Sequence, residues 1–125
     1  MILEDCVVFY HASPVEGLEE ILPTKPIRNT HGGKVSGTYA CLASSPAQAF
    51  YWTDVLQEKG ELWYIYEVQL RHETVVENCV GGYHFEGTGE LVPAVDVFDH
   101  SSLDGEICIF EPVRVSGLYA VIKFG

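Results

Sequence analysis

Leu62, Tyr64, Tyr66, Val68 and Leu70 alternate with their neighbours without a break. A period of two over that length predicts a strand with one face on a core. Cys6-Val7-Val8-Phe9-Tyr10 is a short apolar run rich in strand formers and predicts a strand over 6–10. Further strands are expected at 38–43, at 74–80 and near Leu91–Val97, with Glu106–Val113 and Leu118–Phe124 closing the chain. Two segments read as helices. In Ser13-Pro14-Val15-Glu16 a serine cap, a first-turn proline and a glutamate three residues after the cap form a capping box. Leu18, Ile21 and Leu22 would be the buried face of that helix, and Pro23 and Pro26 its end. Ser45-Pro46-Ala47-Gln48 repeats the chemistry, with Ala49, Trp52 and Leu56 on one face and Gly60 beyond the last turn. Residues 27–37 are polar and glycine-rich and predict a mobile surface loop, and 81–105 is mostly loop-like. The pattern predicts a single α+β domain over 1–125, with two short helices covering a split, mainly antiparallel sheet.

Composition narrows the class. At 125 residues, 47% hydrophobic and 20% charged, the chain is an ordinary globular one with room for one core. No apolar run approaches the roughly 20 residues of a membrane span, and no basic segment precedes the apolar residues at the N-terminus. A soluble, cytoplasmic protein is expected. Seven basic against eighteen acidic residues give a net charge of −11. That field repels a phosphate backbone, which argues against duplex DNA or bulk RNA as a partner. Cys6, Cys41, Cys79 and Cys108 are widely spaced, and three of them sit in apolar runs. They read as reduced core residues, with no metal site expected. His31, His72, His84 and His100 are expected to face solvent, and His84-Phe85-Glu86 is too short for a metal site.

Three segments carry candidate chemistry. The first is Phe9-Tyr10-His11-Ala12-Ser13, followed by Gly17-Leu18-x-x-Ile21-Leu22. The second is Gly37-Thr38-Tyr39-Ala40, with Tyr51 one helix later. The third runs from Gly105-Glu106-Ile107-Cys108-Ile109-Phe110-Glu111-Pro112 to Leu118-Tyr119-Ala120-Val121-Ile122-Lys123. In this order they resemble the ADP-ribosyltransferase superfamily, most nearly its poly(ADP-ribose) polymerase and diphtheria-toxin branch with a His, Tyr, Glu triad. Phe-Tyr-His near the start, Tyr64-Ile65-Tyr66-Glu67-Val68 and Phe110-Glu111-Pro112-Val113 are also similar to rifampin ADP-ribosyltransferases. Ala12 stands where that family has a glycine, and the interval from Tyr39 to Tyr51 is one residue longer.

The resemblance implies an enzyme that takes NAD as co-substrate and breaks its nicotinamide–ribose bond. The ADP-ribosyl group would pass to an unidentified acceptor, with a protein or small molecule favoured over nucleic acid. Glu106, His11 and Tyr39 would be the catalytic set. Bond breaking gives the ribosyl carbon oxocarbenium character, and a carboxylate such as Glu106 steadies that charge as carboxylates do in glycosidases. His11 would anchor the adenosine-side ribose. Tyr39 and Tyr51 would sandwich the nicotinamide ring, with aromatic contacts worth about 0.5–1.5 kcal/mol each. The Ala12 backbone would hold the carboxamide and Ser13 add a hydroxyl contact. Arg28 or Lys34 would meet the diphosphate from a loop that covers the cleft. Glu67 and Glu111, which interrupt apolar runs, are second choices for the carboxylate. The alternative is an inactive module of the same fold that binds NAD, ADP-ribose or a protein partner. A toxin, a phage-encoded effector and a resistance enzyme would share this core.

Overall fold

The computed structural model describes residues 4–27, 36–56, 62–78, 90–100 and 106–123, with the side chains at 52, 54–56 and 98–100 outside that set. It is mostly antiparallel β-sheet. The strands are β1 (Cys6–Ser13), β2 (Glu20–Ile21), β3 (Lys25–Pro26), β4 (Thr38–Ala43), β5 (Leu62–Arg71), β6 (Val75–Asn78), β7 (Glu90–Pro93), β8 (Glu106–Ile109) and β9 (Val113–Lys123). One α-helix, α1 (Pro46–Leu56), and a 3-10 segment at Ala94–His100 are the helical elements among the described residues.

The sheet runs β2-β9-β5-β1-β4-β8-β6-β7, with β3 on β4. It consists of two halves joined at one point. β1 pairs with β5 over its whole length, from Cys6↔Arg71 to Ser13↔Tyr64, but with β4 only at Tyr10↔Ala43. Beyond Tyr10, β1 and β4 part.

The period-two reading of β5 holds where it matters. Val68 and Leu70 join Phe9 and Leu42, with Val76, Ile107 and Ile109, in one core to which both halves contribute. At its first half β5 is covered on the other face too, so Trp63 and Ile65 are buried while Leu62 is exposed. The second face carries a smaller cluster of Ala43, Ala49 and Ile65, edged by Tyr10, Ala12, Ala120 and Ile122. α1 lies over that cluster. Its start follows the predicted cap: the Gln48 N–H donates to Ser45 Oγ at 3.1 Å, and the Ala49 N–H to the Ser45 carbonyl at 3.1 Å. Ala49 and Thr53 face inward, while the side chains of Trp52 and Leu56, and Gly60 itself, lie outside the described residues.

The helix expected from Ser13 does not form. Ser13 Oγ accepts the N–H of Val15, two residues on, which closes a turn instead of a first helical turn. Gly17 then takes φ +71°, a left-handed conformation that ends any helix there. Ile21 is still buried, but through β2, which pairs with β9 at Ile21↔Val113, and Leu22 is exposed. Tyr66 ties the turn down, its hydroxyl donating to the Val15 carbonyl and accepting the Leu18 N–H. Other boundaries move as well. β8 ends at Ile109, because Phe110-Glu111-Pro112 bends the chain and Pro112 has no N–H for a ladder, and β9 starts at Val113. β7 gives way to the 3-10 segment at Ala94.

Of the expected 27–37 loop, residues 28–35, with Arg28, His31 and Lys34, lie outside the described set. Its neck is closed by the Ile27 N–H donating to the Gly37 carbonyl at 3.0 Å. Cys79 and His84, the latter with Phe85 and Glu86, are likewise outside, as is the His100 side chain. His72, expected to face solvent, is half-buried, its N–H donating to the Asp5 carbonyl and its own carbonyl accepting the Val95 N–H.

Candidate functional site

A depression of about 140 Å³ opens on the α1 face beside the junction where β1 and β4 part. Its lining includes His11 and Ala12 from β1, Cys41 from β4, Glu106 at the start of β8, Ala49 of α1 and Lys25 of β3. The fold therefore brings three of the sequence-derived candidates, His11, Ala12 and Glu106, to one cleft. Glu106 reaches it because β8 pairs with β4 at Ala43↔Glu106, and Ala43 is also the register partner of Tyr10, the neighbour of His11. An apolar cavity of about 150 Å³ is large enough for a benzene ring. This one has the volume for a single six-membered ring.

At His11, Lys25 and Cys41 the cleft meets a second groove of about 410 Å³ that runs past Ser13, Leu18 and Ile21. The three residues line both. Together the two depressions form an elongated, largely apolar site of the size that takes a small-molecule ligand, with Lys25 as a cation at its waist.

The chemistry of His11 follows from its one recorded bond. Nδ1 lies 3.1 Å from the Cys41 carbonyl oxygen. A carbonyl oxygen only accepts, so Nδ1 carries the proton and donates. Burial pushes the imidazole pKa below its ordinary value. The bond to Cys41 opposes that shift, and the positive charge of Lys25 adds to it. The ring is therefore neutral near pH 7, and Nε2 is left as an acceptor suited to a hydroxyl.

Ala12 is in extended strand conformation opposite Ile65, and no described non-glycine residue has positive φ. Alanine thus stands in the glycine's place without strain, keeping the same backbone N–H and C=O. Ser13 is buried, serves the turn through its bond from Val15, and lines the second groove, not the cleft.

Tyr39 is half-buried on β4, two residues before Cys41 and on the same face. Burial raises its hydroxyl pKa first, with further contributions from Cys41, Cys108, Glu106 and Glu77. Its hydroxyl thus shares the electrostatic neighbourhood of Glu106, although Tyr39 is not in the cleft lining. Tyr51 is 57% exposed on α1 and also stands outside the lining. Glu67 is half-buried on β5 facing Gly117, and Glu111 is exposed after β8; neither lines the cleft.

The sequence alone does not mark Lys25 or Cys41 as cleft residues. Each gains its place from pairing between strands. Glu77 is fully buried on β6 as the register partner of Cys108. Among the described residues no group of three or more His, Cys, Asp or Glu side chains could hold a metal ion, and no helix is long and apolar enough to cross a membrane. Compared with protein-family models, curated proteins and solved structures, the chain matches none.

Proposed function

We propose that this chain is an NAD-dependent mono-ADP-ribosyltransferase of ADP-ribosyltransferase-like fold, acting in the cytoplasm on a protein or small-molecule acceptor. The observation that carries the reading is the shared cleft: His11, Ala12 and Glu106, from strands at opposite ends of the chain, line one ring-sized depression. In this reading the cleft receives the nicotinamide ring. The Ala12 backbone offers a donor and an acceptor to its carboxamide. Glu106 faces the ribosyl carbon, accepts hydrogen bonds from the ribose hydroxyls and lowers the cost of the oxocarbenium charge as the bond to nicotinamide breaks. His11 accepts a ribose hydroxyl at Nε2, and Lys25 meets the diphosphate where cleft and groove join. Tyr39 packs near the reacting sugar. Nicotinamide release from NAD, compared between wild type and Glu106→Gln, tests the assignment. The variant is expected to lose at least about 10²-fold in turnover, the order seen when one electrostatic group is removed from an active site. Equal release by a folded variant would remove Glu106 from the role.

One observation favours a second reading, a binding module of the same fold without turnover. Tyr51, the second ring of the expected sandwich, is exposed and stands outside the cleft. Thermal stabilisation by NAD with no nicotinamide released would select this reading.

A further inference from the structure

Cys41 and Cys108 are direct register partners on the antiparallel strands β4 and β8. Their sulfurs are 3.9 Å apart, and neither is in a disulfide. Opposed residues of an antiparallel pair have Cα atoms about 4.5–5.5 Å apart, inside the window a disulfide needs. Closure requires the sulfurs to come from 3.9 Å to the roughly 2.05 Å of an S–S bond. The two thiols differ in access. Cys41 is half-buried and lines the cleft, whereas Cys108 is 2% exposed. An oxidant entering the cleft meets Cys41 first, with a resolving thiol already behind it. That is the arrangement of a reversible thiol switch.

We infer that Cys41 and Cys108 form a redox-active pair that closes to a cross-strand disulfide in the cleft when exposed to peroxide. The Cys41 thiolate attacks one peroxide oxygen, the O–O bond breaks, and hydroxide leaves and takes up a proton as water. The Cys41 sulfenic acid is then attacked by the Cys108 sulfur, forming the S–S bond and releasing a second water. The two thiols lose two electrons and two protons, and the peroxide is reduced to two waters. The bond ties β4 to β8 two residues from Glu106, beside the Cys41 carbonyl that holds His11. The inference does not depend on the ADP-ribosyl reading, since its readout is thiol chemistry alone.

The test uses the full chain, hydrogen peroxide, quenching with N-ethylmaleimide and non-reducing peptide mapping. Wild type is expected to lose maleimide labelling at Cys41 and Cys108 together and to give a Cys41–Cys108 linked peptide that dithiothreitol removes. In Cys108→Ser, Cys41 is expected to stop at a sulfenic acid that dimedone captures. In Cys41→Ser, Cys108 is expected to stay unmodified. Overturning results are a wild-type map in which Cys41 and Cys108 both remain labelled while Cys6 or Cys79 is oxidised, or one in which Cys41 goes to sulfinic acid with Cys108 still free. The wild-type map decides the matter even where a serine variant fails to fold.

Discussion

Acidification is expected to weaken the fold through His11, and the sign follows from its surroundings. The ring is held neutral in the fold: burial lowers its pKa from 6.5, Lys25 lowers it further, and the bond to the Cys41 carbonyl offsets only part of this. The unfolded chain therefore binds the His11 proton at a higher pH than the folded one. The His11 contribution to stability is fully present above about pH 6.5. It falls as the pH drops from there to the lowered folded value, and is constant below that. While unfolded and folded states differ by one bound proton, the slope is at most about 1.4 kcal/mol per pH unit. Urea unfolding from about pH 8 to about pH 5, the range over which a histidine titrates, measures it. His11→Asn is the comparison, since it keeps a donor for the Cys41 carbonyl and does not titrate. Every other group is common to the two proteins, so its effect cancels in the difference. Wild type should lose stability relative to the variant across the window, and the difference should then level off. A flat difference, or wild type gaining stability in acid, would show that the fold does not exclude the His11 proton.

Three smaller changes probe the elements that build the site. Tyr66→Phe removes the hydroxyl that ties down the Val15–Leu18 turn; a loss of about 1–2 kcal/mol in urea midpoint experiments is expected, with the m-value unchanged. Gly17→Ala meets no atom within 4 Å but must hold φ near +71°, so it should cost about 1 kcal/mol, measured in the same way. Ser45→Ala removes the acceptor for the Gln48 N–H and should cost about 1 kcal/mol, seen as a lower midpoint of thermal unfolding.

What could be read from the sequence was what local chemistry decides. The long alternation of β5 and the apolar run of β1 are strands, and Ser45-Pro46 does start a helix, because pleat period and cap geometry are set within a few residues. The same local grammar misled at Ser13. A serine followed by proline serves an ordinary turn as well as a helix cap, and the choice was made by contacts from far away: Tyr66 on the turn and Val113 against Ile21. The site shows the same division. His11 and Glu106 were singled out through the order of short motifs, and they do line one cleft. Lys25 and Cys41 owe their places to pairings such as Lys25↔Tyr39 and Cys41↔Cys108, which leave no mark on neighbouring residues. Tyr51 sits beside Phe50 and Trp52 in an aromatic run, and both Phe50 and Tyr51 are exposed on α1, outside the cleft lining.

The most direct measurement is a crystal structure of the chain soaked with NAD. The nicotinamide ring is expected in the depression between Ala12 and Glu106, with a ribose hydroxyl against His11 Nε2 and the diphosphate near Lys25. Density for the dinucleotide elsewhere on the surface, with the depression beside Glu106 unchanged, would contradict it.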